Sequence, residues 1–393
     1  MRNPDFELVE SSKKMNKEQT RRSLTYWKDA WRRLKNNRLA MVGLAGVILI
    51  ILFGVIGPWF SPYSYSDQDN RFTNIPPRFE IYAIADDGYV FLSSQYNLIL
   101  VNEKGELLDK LVRTNMDAIN KIYTYDYEGE EIEVDFKNRL LEDDGGVDIK
   151  VTYKNVTSIY PTKTVSNKTF PWGTDNLGRD MLTRIMFGAR ISLTVAFVAT
   201  LVNLIIGVTY GAISGLEGGT ADDIMMRSVD VINSIPLVLY VILLMVIIDD
   251  QGLWTIIITL GSVYWVGMAR LVRGQVLGLK EQEYVLAART IGVSKAKIIS
   301  KHLIPNAMGP IIVSMTMMIP SAVFTEAFLS FIGLGVSAPM ASWGTLANDA
   351  LAGLSTYPYQ LFAPSIAIAL TMLSFNFLGD GLRSALDPRL RKG

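Results

Sequence analysis

The chain carries few residues from which a chemical site could be built. It has no cysteine and a single histidine, His302. A disulfide framework, a thiolate metal site and a zinc cluster are therefore excluded, as is any nucleophile–histidine pair that does not use that one ring. The sequence G-x4-G-K-[ST] does not occur either, which predicts that the chain has no P-loop for ATP. We expect no catalytic residue, no metal site and no cofactor bound by this chain.

Ionisable and polar residues inside apolar stretches are the remaining candidates. Glu326 lies within an apolar run, and an ionisable residue at membrane depth is costly and usually faces a cavity or a partner. It is a candidate for a translocation pathway or gate, unless it lies close enough to the outer interface to be wetted. Asp230 and Asn233 open another apolar run. They are candidates for the same pathway, although a structural role is favoured, as a cap or in an ion pair with Arg227.

Six apolar runs must position these residues. The run Leu39–Phe60 is about 33 Å long as a helix, enough to cross a hydrocarbon core of ~30 Å. The third run contains Pro236. The pattern predicts an all-α polytopic membrane protein with six transmembrane helices. The other five predicted spans are Ile191–Ser214, Val229–Ile248, Leu253–Leu271, Ala307–Phe331 and Leu361–Leu378.

A polar insert, residues 61–168, separates the first two spans. It holds nineteen Asp/Glu against twelve Lys/Arg, a difference of −7. Alternating stretches such as FEIYAIA, YVFLSS and YNLILVN are separated by the turn signals ADDG and NEKGE. The pattern predicts a small β-rich insert, with a helix around residues 110–122. The alternative is a solvated spacer that only covers the exterior.

The distribution of basic residues predicts the orientation. Residues 1–38 hold eleven Lys/Arg against five Asp/Glu and lack the features of a signal peptide, whereas residues 332–360 hold no Lys or Arg. Both termini are therefore expected in the cytoplasm and the insert outside the cell. Two places fit badly: the acidic stretch GLEGGTADD is placed inside, and Arg179, Arg184 and Arg190 are placed outside.

The loop between the fourth and fifth spans, residues 274–304, is longer than a simple connection needs. Glu283, Ala287 and Ile291 share one face of a predicted helix at i, i+4 and i+8, with the small residue Ala288 beside them. The small side chains would let another surface approach the backbone closely. An ordinary amphipathic loop resting on lipid headgroups is the alternative.

The same loop contains signals for a turn and a second helix. Gly292 suits a helix C-cap or a turn with positive φ. The stretch AKIISKHL then begins another helix, and Pro305 stands where the fifth span is expected to start. The sequence predicts a helix-turn-helix on the cytoplasmic face.

This loop resembles the coupling loop of ABC importer permeases. The shared pattern is E-x3-A-A-x3-G, followed about ten residues later by Leu and Pro. In this chain it is formed by Glu283, Ala287, Ala288 and Gly292, then Leu303 and Pro305. The resemblance implies that the first four residues couple the permease to an ATP-binding subunit, which holds the ATP and Mg.

Three further stretches resemble the C subunit of oligopeptide and dipeptide permeases. They are Phe170–Leu193, Glu326–Val336 and Gly379–Arg391. The resemblance covers residues 1–60 and 170–393, and it implies the ABC type I importer permease fold with a five-helix core in residues 170–393. The insert is longer than in the shorter permeases of this branch and resembles those of Gram-positive bacteria.

The resemblance also implies partners and a location. The partners are a paralogous permease subunit of the B type, two ATP-binding subunits, an extracellular lipid-anchored peptide-binding protein and the lipid bilayer, with no nucleic acid. The implied location is the plasma membrane. Alternatives are a permease for nickel chelates or antimicrobial peptides, or a membrane sensor with an external ligand domain. We hypothesise that the insert contacts the binding protein.

Overall fold

The computed structural model describes residues 26–84, 88–137, 149–248 and 252–386. Within these ranges, five helical segments are long and apolar enough to cross a membrane, and a bent pair of shorter helices could form a sixth crossing. The chain is therefore a helical multi-pass membrane protein. The helices are α1 (Tyr26–Asn36), α2 (Arg38–Val55), α3 (Met181–Glu217), α4 (Gly219–Ser234), α5 (Leu237–Ile248), α6 (Leu253–Val263), α7 (Trp265–Leu279), α8 (Glu283–Thr290), α9 (Lys295–Ile298), α10 (Ile304–Phe331), α11 (Trp343–Asp349) and α12 (Tyr359–Leu386).

We number the spans in chain order. Span one is α2, span two is α3, span three is the bent pair α4 and α5, span four is Leu253–Leu279, span five is Lys295–Phe331, and span six is α12. Span two starts at Met181, ten residues before the predicted Ile191, because Asp180 caps it by accepting a hydrogen bond from the Thr183 amide. Apolarity alone misses such polar first turns.

Span three differs from its prediction. It is not one helix from Val229 to Ile248 but two helices that meet at 87° around Ile235 and Pro236. Pro236 has no amide hydrogen, and its ring disfavours a helical conformation at the residue before it. Ile235 accordingly has an extended backbone, with φ −80° and ψ 123°. The expected turn that follows this span falls on residues 249–251, outside the described ranges.

Spans two and four pack closely against each other. Gly207, Gly211 and Gly215 recur at every fourth residue of span two and face span four. A Cβ at Gly211 would collide with the carbonyl oxygen of Ala269. Small residues at this spacing allow two helix backbones to approach closely where lipid gives no hydrophobic drive to associate.

The insert forms two antiparallel sheets of five strands each, in the orders β10-β1-β2-β3-β4 and β5-β6-β7-β8-β9. One apolar core joins them, with Tyr82, Val90 and Leu98 from the first sheet against Tyr125 and Ile132 from the second. These two small sheets, in the described residues, support the predicted β-rich insert in part. The strands are β1 (Arg78–Ala83), β2 (Tyr89–Leu92), β3 (Leu98–Val101), β4 (Leu107–Lys110), β5 (Val112–Asp117), β6 (Ile122–Tyr127), β7 (Glu130–Asp135), β8 (Lys150–Tyr153), β9 (Val156–Ser158) and β10 (Lys163–Ser166).

The helix predicted around residues 110–122 is wrong. Residues Val112–Asp117 form strand β5, which pairs with β6 from Val112 opposite Asp126 to Asp117 opposite Ile122. The strand is exposed over most of its length, so its sequence lacks the apolar alternation of a half-buried strand. Pairing with β6 decides its conformation.

Hydrogen bonds join the insert to the helices. The Tyr359 hydroxyl at the start of span six donates toward the carbonyl oxygens of Thr174, at 2.7 Å, and Ile75, at 3.1 Å. The amide nitrogen of Gln360 donates to Asn74 Oδ1 at 2.9 Å. The first sheet is therefore held on the same side of the molecule as the start of span six, which we call the insert side; the 274–304 loop lies at the other ends of the spans.

The terminal segments are described in part. The predicted basic segment 1–38 contains helix α1, which the sequence analysis did not anticipate. Residues 1–25 lie outside the described ranges. The C-terminal stretch Gly379–Arg391 is helical as far as Leu386, and residues 387–393 also lie outside them.

Candidate functional site

Helix α8 in the 274–304 loop has the predicted start and end. It runs Glu283–Thr290 and closes on Gly292, whose φ is +76°. The Gly292 amide donates to the Arg289 carbonyl at 3.0 Å, and the Val293 amide donates to the Ala288 carbonyl at 3.1 Å. These two bonds are a Schellman motif, which requires a left-handed residue after the helix. The predicted turn at Gly292 is confirmed.

The two faces of α8 have different surroundings. Val285 and Ala288 are buried in one apolar cluster with side chains of spans two, four and five. Glu283 and Ala287 are exposed, and Ile291 is 79% exposed. Ala288 therefore faces the protein's own core, whereas the sequence pattern placed it beside the outward face. The exposed side of α8 and its C-cap thus carries the Glu283 carboxylate and the small Ala287, together with the apolar side chains of Leu286 and Ile291.

The second limb of the loop is part of span five. Helix α9 passes through a π turn, Ile299–Leu303, into α10 without a break, so the prediction of a separate helix before a span starting near Pro305 is wrong. Pro305 cannot donate the hydrogen bond that a regular helix requires. A wider π turn directly before it keeps the backbone helical despite that missing donor.

Polar contacts fasten the loop to the end of span two. Lys295 Nζ lies 2.6 Å from a carboxylate oxygen of Glu217, and Lys280 Nζ donates to the Gly215 carbonyl at 3.1 Å. Cations suit the last carbonyls of a helix, where acceptors lack partners and the helix dipole is negative. The loop is thus held by spans two, four and five together.

An ion pair between a buried carboxylate and a partly exposed arginine lies in the same region. Arg273 Nε and Nη2 each donate to Asp222 at 2.6 Å, and the Ser214 hydroxyl also donates to Asp222. The Asp222 side chain is 7% exposed. The sequence analysis missed this contact, although GLEGGTADD stood out as acidic where basic residues were expected. Within this acidic stretch, Glu217 pairs with Lys295 and Asp222 pairs with Arg273, and both cations follow span three in the chain.

Asp230 and Asn233 lie on the exposed surface of α4. Asp230 pairs with Arg270, at 2.7 Å, so the prediction of a pair with Arg227 is wrong. Both partners are largely exposed, and an exposed pair of this kind contributes little stability. Asp230 and Asn233 share no hydrogen-bond partner with Glu326 among the described residues, so the pathway candidates do not converge on one site.

Glu326 is fully buried in span five. The Ser192 hydroxyl of span two donates to Glu326 Oε2 at 2.7 Å, and the Ser330 hydroxyl donates to Oε1 at 2.7 Å. Ser192 Oγ also accepts a hydrogen bond from the Trp343 amide at the start of α11. The carboxyl group therefore connects span two, span five and the helix that follows span five.

A buried ion cluster lies near the start of span two. Asp175 accepts hydrogen bonds from Arg179, at 2.7 Å, and from Arg184, and all three side chains are at most 7% exposed. Arg184 Nη2 also lies 3.7 Å from Asp349 of α11. Burial raises the pKa of Asp349 and also that of Asp180, the cap of span two. Two of the three arginines that fitted the outer side badly, Arg179 and Arg184, are thus paired with carboxylates within the protein, whereas Arg190 donates to the backbone carbonyls of Gly54 and Val55.

A cavity of about 380 Å³ lies beside this cluster. Arg179, Arg184 and Asp349 line it together with the chain that follows span five. The Arg184 Nε atom is buried and has no hydrogen-bond partner within the described residues. The sequence signal for this cluster is the presence of four charged residues within Asp175–Arg184, directly before and inside the first turn of an apolar helix.

Two families match the chain. The binding-protein-dependent transport system inner membrane component matches residues 207–392, and the N-terminal TM domain of oligopeptide transport permease C matches residues 25–77. The chain is 40% identical to the oligopeptide transport system permease protein OppC of Bacillus subtilis (strain 168), over 95% of this chain and 93% of the relative. It is 41% identical to the dipeptide transport system permease protein DppC of the same organism, over 95% and 88%. A chain of the inward-facing MetNI methionine ABC transporter aligns at 20% identity and TM-score 0.42, over 53% and 98%.

Proposed function

We propose, because this chain belongs to the family of oligopeptide and dipeptide transport permeases of the C type, that it forms half of the pore of an ATP-driven peptide importer. Membership makes it a transport permease subunit and not an enzyme. The peptide substrate class follows from the names of the relatives.

The observation that carries this proposal is the two-sided packing of α8. Its inner side is fixed among three spans through Val285 and Ala288, and its outer side leaves Glu283, Ala287 and Ile291 exposed. Helix α8 is packed against the spans on one side and exposed on the other. Such a helix suits a contact with another subunit whose movement must be transmitted to the spans. We assign that contact to an ATP-binding subunit, and Glu283, Ala287 and Gly292 to its formation; Ala288 supports it from within.

The remaining partners follow from this assignment. A paralogous B-type permease supplies the second half of the pore, two ATP-binding subunits hold the ATP and Mg, and a lipid-anchored binding protein delivers the peptide. Both termini of this chain lie in the cytoplasm and the insert lies outside. The long insert and the relatives from Bacillus subtilis support the plasma membrane of a Gram-positive bacterium as its location.

The test of coupling is the charge reversal Glu283→Lys in the reconstituted transporter. We expect peptide uptake per ATP hydrolysed to fall by at least roughly tenfold, because a like charge placed against a complementary surface opposes binding. The matched control is Glu281→Lys, an exposed residue outside the helix. Uptake and hydrolysis equal to the unsubstituted transporter in the Glu283 variant would remove α8 from the ATPase contact.

The orientation can be tested with single cysteines, since the chain has none. Cysteines at Ser94 and Ser355, which are exposed on the insert side, should react with a membrane-impermeant thiol reagent added to intact cells. A cysteine at the equally exposed Ser294 should react only after the cells are opened. Labelling of Ser294→Cys in intact cells would show that the orientation is reversed.

We further propose that the insert guides the binding protein through the β6–β7 hairpin. Five exposed acidic residues line this hairpin, so it is the most concentrated negative surface of the two sheets. They are Asp126, Glu128, Glu130, Glu131 and Glu133. Such a surface speeds the approach of a basic partner and loses its effect as salt rises, because the screening length is only ~8 Å at physiological ionic strength.

This role predicts a local effect of charge. Glutamine at Glu128, Glu130 and Glu131 should weaken the binding protein's affinity by roughly tenfold at low salt and less at high salt. The control carries the same loss of three charges on the first sheet, and consists of glutamine at the exposed Glu80, Glu103 and Glu106. Equal affinities in both variants and the unsubstituted complex would leave the insert as a cover of the exterior.

A further inference from the structure

Helix α1 packs on the cytoplasmic-side end of span six by a narrow stripe. Leu34 is buried there with Ala40 and Ala385, and Ala30, one turn earlier on α1, is buried as well. Asn37 is extended, with φ −88° and ψ 105°, and its side chain accepts a hydrogen bond from the Ala40 amide at 3.2 Å. The chain therefore changes direction between α1 and span one, so α1 is not a continuation of the span.

Two tryptophans flank this stripe. Trp27 and Trp31 lie one turn apart, and they are 53% and 49% exposed. Each presents a large apolar surface next to the buried stripe, at the end of a transmembrane helix. Tryptophan is enriched at this level of a membrane protein because its ring is apolar and its N–H remains accessible to polar groups.

Cations occupy the adjoining face. Lys28, Arg32 and Lys35 are exposed, whereas Arg33 is paired with Asp29 at 2.9 Å. The four cations and one carboxylate of α1 give a net charge of +3. Lys35 Nζ lies 5.5 Å from the centre of the Trp31 ring, so the cationic and aromatic surfaces are continuous.

We propose that α1 lies along the bilayer surface and binds anionic lipid headgroups. In this position Trp27 and Trp31 enter the boundary between headgroups and acyl chains, and Lys28, Arg32 and Lys35 contact lipid phosphates. The helix has the features of interfacial helices, namely a narrow apolar side, tryptophan and a cationic side. Its partner is anionic lipid because the cytoplasmic leaflet carries the negative surface potential that these cations match. This proposal rests on the orientation assigned above.

The first experiment measures depth. A nitroxide is attached to Trp31→Cys, on the exposed tryptophan side of α1, in the complete transporter reconstituted into vesicles of phosphatidylcholine and phosphatidylglycerol. We expect the label to collide readily with oxygen and less with a water-soluble nickel chelate than a label at Ser294→Cys does. Strong protection from both agents would show that a protein subunit covers α1, and full access to the nickel chelate would show a solvated helix. Either result would overturn the proposal, and neither depends on peptide transport.

The second experiment tests lipid chemistry. We expect the ATPase activity of the complex to rise with the fraction of phosphatidylglycerol. Glutamine at Lys28, Arg32 and Lys35 should reduce this rise severalfold, since each cation near an anionic surface strengthens binding by roughly fivefold. The control removes three exposed lysines of the insert, Lys104, Lys137 and Lys168, and should respond as the unsubstituted complex does. An unchanged lipid response in the α1 variant would show that its cations do not bind headgroups.

Discussion

A transporter carrying Gly292→Val is expected to hydrolyse ATP with little peptide uptake. Gly292 has φ +76° in the turn that closes α8, and a β-branched residue is a genuine outlier in that region. A Cβ at Gly292 would meet no atom within 4 Å. The cost, on the order of 1–3 kcal/mol, therefore comes from the backbone alone and is relieved by opening the turn.

The measurement is peptide uptake and ATP hydrolysis by the same reconstituted complex. Opening the turn shifts the exposed face of α8 relative to spans two, four and five, on which the helix packs. We therefore expect peptide uptake to fall more than roughly tenfold while the complex still assembles. Gly292→Asn is the control, because asparagine tolerates the left-handed conformation. If valine and asparagine give the same uptake, the shape of this turn does not matter for coupling.

Asp175→Asn is expected to destabilise the insert side of the protein strongly. It removes the carboxylate that lies between two arginines, Arg179 and Arg184, which are both buried. Breaking a buried ion pair by removing one partner typically costs ~3–5 kcal/mol, because the remaining charge stays buried without compensation. We expect a lower yield of folded complex and an apparent melting temperature reduced by several degrees.

Thermal unfolding followed by tryptophan fluorescence would measure this effect. Trp343 is 1% exposed and its indole N–H donates to the carbonyl of Ile185, the residue after Arg184, so it reports on this region. Glu103→Gln is the control, since it breaks the exposed pair with Lys163 and should change nothing measurable. A melting temperature as high in Asp175→Asn as in the control would contradict the account of the cluster.

Local patterns were sufficient where local physics decides the structure. The repeat of apolar residues located all six candidate spans, and alternation located strands such as β1 and β3. The end of α8 at Gly292 was predictable because a left-handed turn after a helix strongly favours glycine. The spans themselves extend into polar turns, which hydropathy does not register.

Contacts between distant parts of the chain were not predictable. Asp222 is matched by Arg273, 51 positions later, and the partners of Glu326 come from 134 positions earlier as well as from its own helix. Strand β5 forms by pairing with its neighbour β6. The proline at position 236 predicts a break in span three, but the residues around it do not specify the angle of 87° between the two helices. Three of the charges that fitted the positive-inside rule badly, Arg179, Arg184 and Asp222, are buried and ion-paired.

Span five has a continuous helical backbone, so a tilt at one of its ends also displaces the other end. Its 37 residues, from Lys295 to Phe331, correspond to a rod of roughly 55 Å. A tilt of about 5° imposed on the end next to α8 would move the far end by about 5 Å over that length. Glu326 lies near the far end, hydrogen-bonded to span two, and Ser330 lines the cavity beside Arg184. A tilt that begins at α8 therefore displaces the hydrogen bond of Glu326 and the lining of this cavity more than it displaces α8 itself.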